Sequence, residues 1–523
     1  MQEGVATDRG DAGTRAQVLR LASLAIALVA LSLALRAASF VDAPLDRDEG
    51  AYALIAQQWR RGATLYGDYF DHKPPLVYVA YRLVFAVAGE HLAAVRTLFA
   101  LLNACTAFAC AVVVRRLTSR RELMPPVLAG VAACVFLNSP LVQGEIANTE
   151  SLMGLGTVGA GWLIVRATQR GHTADALLAG ICAGFAILAK PVAIFEAAFF
   201  ATWLAIHAVE RPADVRRFGA GLLVPSLAWG VYALSQGTLV TSIDAVLLYN
   251  VRYAGSSAVP LWARVAALPI DYGVPLALLW AGVAGCTLTA LRREPQPANF
   301  ALGWTAAAVV GTLASGRIYD HYYQQLIPPM AVALGVTSAA MGALTRARWM
   351  RLASCIAVAF GLWPPLAAAR SFTSEATNRG CSDWQTRLAA VIRTLTAPDD
   401  LLFTWGAEPY LNFAAARRPP GRFIYKYPLL GDSSASDAAR RSLFAAWDEQ
   451  PPAVIVIVKR EATAEAGRSA ATEIIASDAP FHRLLSRFAP ALETPDFVLY
   501  TRNDSSPLAW QARWEQTRPD GCS

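Results

Sequence analysis

Long apolar runs separated by short charged turns fill the first two-thirds of the chain, and a finer alternation takes over after them. Runs of about 17–25 residues with few charges recur from residue 17 to residue 369, the length a helix needs to cross roughly 30 Å of hydrocarbon. They fall at 17–38, 92–114, 125–141, 151–168, 174–189, 192–209, 218–236, 264–291, 298–315, 322–345 and 352–369. One more run, 75–89, is short for a crossing and reads as an interfacial or re-entrant helix. Just before it, Tyr52, Ile55, Ala56 and Trp59 recur at helical spacing, which predicts a second interfacial helix that Gly62 stops. Beyond residue 370 the pattern changes to short strands (LLFTW 401–405, AVIVIV 453–458, FVLY 497–500) and a helical stretch at Ala439–Trp447. The expected architecture is a polytopic α-helical membrane domain over 1–370, with about eleven spans and interfacial helices in the first outer loop. A small α/β domain over 371–523 follows it.

Composition agrees with a membrane protein. Of 523 residues, 55% are hydrophobic and 16% charged, and the mean hydropathy is +0.36. A soluble globular chain carries about 25% charged residues, so a soluble enzyme, a disordered chain and a disulfide-stapled secreted domain are all excluded. The net charge of +7 is almost entirely arginine, since lysine occurs only at Lys73, Lys190, Lys426 and Lys459. Arginine clusters at 115–121, 166–170, 211–217, 292–293 and 346–351 all land on one side with the N-terminus when eleven crossings are counted. That is the positive-inside pattern of a plasma-membrane protein, with the C-terminal domain outside, and it is no nucleic-acid footprint. No small-residue cleavage site follows the first apolar run, so the first helix is expected to be retained. Six cysteines lie in apolar runs, whereas Cys381 and Cys522 sit near the two ends of the tail, where a disulfide or two free thiols are both open.

Polar residues that need explaining collect in the outer loops. The first loop carries Asp48 and Glu49 at the start of its helix, and either catalysis or simple helix capping accounts for Asp48. It ends in Asp71-His72-Lys73-Pro74-Pro75. Lys73 and Lys190 are the two lysines of the membrane part, both outside against the charge bias, which points to a bound anion such as a lipid phosphate. Glu145 and Glu150 come from the second outer loop, and Arg317 and His321 from the loop before 322–345, while Tyr322 and Tyr323 fit an interfacial aromatic belt. Carboxylates and cations gathered from distant loops on one face suit proton abstraction and phosphate binding. No metal-ligand spacing, phosphate-binding loop or dinucleotide fingerprint occurs.

The run Asp48-Glu49-Gly50-Ala51-Tyr52, followed about twenty residues later by Lys73-Pro74-Pro75-Leu76, resembles the first outer loop of GT-C fold glycosyltransferases. Asn148-Thr149-Glu150, Ala189-Lys190-Pro191 and His321-Tyr322-Tyr323 with Pro328-Pro329 extend the likeness along the whole chain. It is similar to the bacterial branch of the protein O-mannosyltransferase superfamily, which includes the lipid A aminoarabinose transferases. The resemblance implies an inverting transfer of a sugar from a polyprenyl-phosphate donor to an envelope acceptor (protein, lipid or polysaccharide) at the outer face of the plasma membrane. It makes Asp48 the base, Glu150 a second acid with Glu49 beside Asp48, and Lys73 the contact to donor phosphate. Lys190 and Arg317 share that work, and Tyr52, His72 and His321 line the substrate site. In aminoarabinose transferases the residue before Lys-Pro-Pro is a metal-holding glutamate. Here it is His72, and 237–263 has no histidine, so a divalent metal ion as cofactor stays open.

A transporter or flippase of lipid-linked sugars is the alternative. It calls for ionisable groups at mid-membrane and repeat symmetry, whereas these spans carry little charge away from their ends and no repeat is visible. In the tail, Trp405-Gly406-Ala407-Glu408 and the aromatic region Arg417–Tyr427 are open to two readings, acceptor contact or ordinary domain core.

Overall fold

The computed structural model describes residues 3–517 apart from 119–121, 209, 256–258, 293–294, 343–347, 379–382, 430–433, 461–480, 482–484 and 504–505. Cys381 and Cys522 therefore lie outside the described residues. Over its described residues, each of the eleven apolar runs is mainly helical. They form α1 (Glu3–Leu35), α4 (Leu92–Thr118), α5 (Met124–Leu137), α6 (Thr149–Arg170), α7 (Thr173–Ala189), α8 (Ile194–His207) and α9 (Pro212–Ser235), then α12 (Leu261–Tyr272) with α13 (Ala277–Arg292), α14 (Pro295–Ala314), α15 (Ile327–Gly342) and α16 (Arg348–Asn378). Between them lie α2 (Arg47–Arg60), α3 (Leu76–Ala88), α10 (Leu239–Ile243) and α11 (Tyr249–Gly255).

By length and apolarity four of these helices can cross a membrane unaided, or five if the bent pair α12–α13 counts as one. The single run expected over 264–291 is in fact broken, the two halves meeting at 110°. Gly273 and Pro275 stand at the break, where a residue without a side chain and one without an N–H cannot sustain the helical ladder. The segment 237–263, read from the sequence as a loop, is largely helical: a π-type turn joins α10 to α11. Helix α15 begins at Ile327, so Tyr322 and Tyr323 precede it in a 3-10 turn and are buried rather than set in a surface belt.

The amphipathic spacing of α2 also understates its burial, since Glu49 through Trp59 are all buried, on every face. One side packs on α3, and the other meets α18 (Tyr410–Ala415) of the C-terminal domain. A Cβ on Gly50 would lie 2.7 Å from the Tyr410 amide nitrogen, so only glycine lets these two helices approach so closely.

The C-terminal domain is a four-stranded sheet of order β1-β2-β4-β3, from β1 (Leu402–Trp405), β2 (Val454–Val458), β3 (Phe488–Glu493) and β4 (Phe497–Arg502). β1 and β2 are parallel and the other pairs antiparallel. The unbroken apolar run of β2 follows from its two covered faces. Val454 and Val456 pack under α17 (Trp384–Leu395), whereas Ile455 and Ile457 pack under α19 (Ser434–Glu449). The last helix, α20 (Pro507–Gln516), closes the first of those faces through Trp510.

Candidate active site

Asp46, in extended backbone, caps α2 by accepting the Asp48 N–H at 2.8 Å. The capping role open to Asp48 thus belongs to its neighbour, and the Asp48 carboxylate is left to face outward from the helix. It accepts from the Lys73 ammonium at 3.0 Å and the Tyr52 hydroxyl at 3.3 Å, with the Arg47 guanidinium 3.9 Å away. Burial works to raise its pKa, but Lys73 and Arg47 outweigh burial and hold the carboxyl well below the ordinary range. Burial works to lower the Lys73 ammonium, but Asp48 together with Tyr322, Glu150 and Asp71 holds it above the usual value. Its backbone is fixed on both sides. Tyr66, at φ 64°, donates to the Lys73 carbonyl at 2.6 Å, and Pro74-Pro75 lead into the first turn of α3.

Glu150 sits in the first turn of α6, behind the Asn148 cap, and accepts from the Lys190 ammonium and from the Thr149 hydroxyl at 2.9 Å. Asn148 also accepts from the Tyr52 hydroxyl at 3.1 Å, which links this group to Asp48. His321 Nε2 lies 3.9 Å from Glu150, while its Nδ1 contacts Gln143 at 2.7 Å. The Lys190 ammonium rests 3.6 Å over the Tyr322 ring. Burial pushes Lys190 down to about 8 and His321 down to about 4, so the histidine is neutral at pH 7. Glu150 is held at about 2, where Lys190 and His321 overcome the effect of burial.

Asp48, Tyr52, Lys73, Glu150, Lys190 and His321, spread over 274 positions of sequence, are thus one electrostatic cluster. Glu49 is not part of it. Its carboxylate turns the other way, into a fully buried pair with Arg96 (2.6 Å) that also accepts the Ala147 N–H. Arg317 stacks on Tyr253 at 4.6 Å. His72 leans on the buried Asp71 at 3.2 Å and lies against Tyr249 and Tyr253, ring centres 5.5 Å away in each case.

Two cavities meet at His72 and Tyr253, which line both. One, of about 340 Å³, has Lys73, Lys190 and Tyr322 at its polar end and apolar side chains such as Ile194, Leu247 and Val251 along the rest. Those three are exposed on the outside of the bundle. The other, of about 250 Å³, opens on Asp48, Arg47 and Arg317 and is roofed by Tyr425 and Tyr427 of the C-terminal domain. Tyr425 donates to Asp71 at 2.8 Å and Tyr427 accepts from Arg47. Of the two tail segments singled out in the sequence, the Arg417–Tyr427 region reaches the site through Tyr425 and Tyr427, and the other reaches it only through Ala407. Trp405 and Glu408 serve the domain interior, Trp405 in the sheet core and Glu408 against Gln385. Sequence reasoning missed Arg47 and Asp71; the only signal was their place among the charges of DRDEG and DHK.

Among the described residues, no three His, Cys, Asp or Glu side chains stand close enough to share a metal ion. The nearby carboxylates are already matched: Asp48 by Lys73 and Arg47, Glu150 by Lys190. This donor set does not fit a resident divalent metal.

Comparison with known proteins places the arrangement. Over nearly its full length the chain superposes on ArnT from Cupriavidus metallidurans bound to undecaprenyl phosphate, with a TM-score of 0.63 at 15% identity, covering 94% of this chain and 98% of that one. The chain has the GT-C fold. The apo state of the same ArnT gives a TM-score of 0.57 at 15% identity, covering 93% and 98%. The oligosaccharyltransferase of Archaeoglobus fulgidus, tethered to an acceptor peptide, gives 0.51 at 12% identity, covering 84% and 69%. Residues 72–229 match the family described as dolichyl-phosphate-mannose-protein mannosyltransferase. No curated protein matches the chain by sequence. In this GT-C protein the family match begins at His72, so it takes in Lys73, Glu150 and Lys190, while Asp48 and His321 come from outside it.

Proposed function

We propose that this GT-C protein is an inverting glycosyltransferase that moves a sugar from a polyprenyl-phosphate donor to an envelope acceptor at the outer face of the plasma membrane. One observation carries the reading. Asp48, beside Asp71 in the lining of one cavity, is ion-paired to a lysine that lines the next, and that second cavity is mostly apolar away from its two ammonium groups. A lipid phosphate places its headgroup at Lys73 and Lys190 and its chain along the apolar wall. The relatives bound to undecaprenyl phosphate and, in the archaeal oligosaccharyltransferase, to dolichol phosphate support a lipid-linked donor. The arginine-rich loops support the sidedness. On this reading residues 1–370 carry the catalytic groups and 371–523 close the acceptor side.

In the free protein Lys73 neutralises Asp48. A donor phosphate draws the ammonium toward itself, and the carboxylate then regains basicity next to the acceptor. The acceptor hydroxyl gives its proton to Asp48 as its oxygen attacks the anomeric carbon. The bond from that carbon to the phosphate oxygen breaks on the opposite face, and the lipid phosphate leaves with the electron pair, stabilised by Lys73 and Lys190. No step is routed through a metal ion.

The test uses purified protein in nanodiscs with a panel of polyprenyl-phosphate sugars and a crude envelope fraction, read by mass spectrometry. Asp48→Asn keeps the shape and removes the base, so turnover of the preferred donor should fall by at least about 10²-fold while donor binding persists. Wild-type activity that survives the substitution would sink the mechanism. Lipid-linked sugar crossing the bilayer without turnover would instead identify a flippase.

A further inference from the structure

The cavity on the acceptor side of Asp48 has a lining that the transfer chemistry alone does not require. Five of its wall residues are tyrosines, contributed by three separate parts of the chain. Tyr249 and Tyr253 come from α11, Tyr319 from the loop before α15, and Tyr425 and Tyr427 from the C-terminal domain. All five are half-buried and line the cavity. Tyr249 and Tyr253 lie nearly parallel, 14° apart with centres 6.2 Å from one another, on the same face of α11.

The two arginines of the cavity are held by aromatic rings. Arg47 lies 5.0 Å over Tyr427 and Arg317 lies 4.6 Å over Tyr253. Stacking holds each guanidinium in place with its edge toward polar partners; Arg47 gives one N–H to the Tyr427 hydroxyl and faces Asp48 with another. Flat aromatic faces beside a few fixed donors and the carboxylates of Asp48 and Asp71 suit a ligand with apolar C–H faces and a rim of hydroxyls. A space of about 250 Å³ is closed on one side by Ala407 and Pro409 of the C-terminal domain. It suits one ring-sized group better than an extended peptide.

We propose that this cavity is a sugar subsite, which holds a pyranose ring of a carbohydrate acceptor with one hydroxyl at Asp48. The proposal rests on the transferase reading and names its acceptor class. Tyr249 is a specificity residue for that ring: it lines this cavity and not the one with the lysines. The chemistry is the transfer already written, with the acceptor oxygen belonging to a sugar hydroxyl. A pyranose ring also belongs to the donor, so the experiment separates the two sources.

Saturation-transfer NMR on the protein in nanodiscs supplies the binding arm, which needs no turnover and survives failure of the transferase reading. The probes are methyl glycosides of mannose, glucose, galactose and N-acetylglucosamine, and a Ser/Thr-containing peptide. At least one glycoside should show transfer, retained in Tyr249→Phe and reduced about tenfold in affinity in Tyr249→Leu, which keeps apolar bulk but loses the flat face. Undecaprenyl phosphate without a sugar should not displace it. In the kinetic arm, Tyr249→Leu should raise KM for a glycoside acceptor about tenfold and move donor KM by less than about twofold. Displacement by the sugar-loaded donor but not by bare undecaprenyl phosphate would assign the cavity to the donor's own sugar and overturn the proposal. So would binding of the peptide alone, or equal affinity in the Leu and Phe variants.

Discussion

Lys73→Met tests the central pairing, because it keeps the length of the side chain and removes only its charge. At 3.0 Å the Lys73–Asp48 attraction is worth about 5 kcal/mol at an effective dielectric of 20. Solvent lowers that figure, since the two side chains are 14% and 23% exposed. Arg47 remains 3.9 Å from Asp48, so the carboxylate is weakened rather than orphaned. Two effects follow. Loss of a charged hydrogen bond to phosphate costs about 1.5–3 kcal/mol, so donor KM should rise roughly 10- to 150-fold. The Asp48 carboxyl, which Lys73 helps hold below its ordinary value, should titrate at higher pH. A base works only above its own pKa, so activity should be lost sooner as the pH falls and the acid limb of kcat/KM should move up. The assay is a pH series of donor-saturation curves in nanodiscs, with Lys73→Arg as the charge-keeping control. If donor KM and the acid limb both stay where they are in wild type, Lys73 neither binds the phosphate nor sets the base, and the reasoning fails.

Lys190, pushed down to about 8, should lose its proton as the pH rises through that value, so kcat/KM should fall on the alkaline side there. Lys190→Arg should shift this limb upward; an alkaline limb that does not respond assigns it to another group. Glu49→Gln leaves the buried Arg96 without its counter-charge, a loss of about 3–5 kcal/mol that should appear as a lowered Tm in detergent; an unchanged Tm would mean that the three carbonyls Arg96 also contacts are sufficient. Gly50→Ala drives a methyl group to within 2.7 Å of the Tyr410 backbone and should cost about 1–3 kcal/mol, read in the same melts.

Much of this molecule was legible from pattern. The apolar runs became helices because length and apolarity are properties of a local stretch, and the strands at 402–405, 454–458 and 497–502 fell where alternation and short apolar runs placed them. Lys73 and Lys190 stood out because lysine is so scarce in the membrane part. Burial of α2 on all faces was not legible, because its second cover, α18, arrives from more than 350 residues away. Nor was the bend between α12 and α13, whose Gly273 and Pro275 had been read as part of one run.

Adjacent residues show where sequence ends and tertiary structure begins. Asp46, Asp48 and Glu49 lie within four positions, with the same chemistry and nearly the same exposure to periodic argument. Packing gives them three roles: Asp46 caps a helix, Asp48 faces Lys73, and Glu49 turns inward to Arg96. The sequence alone determined a membrane-embedded helical protein with charged loops between its apolar runs, because hydrophobic periodicity needs only neighbouring residues. Which carboxylate meets which cation was decided by the tertiary structure, because a buried charge is stable only beside a partner that the folded chain delivers from elsewhere.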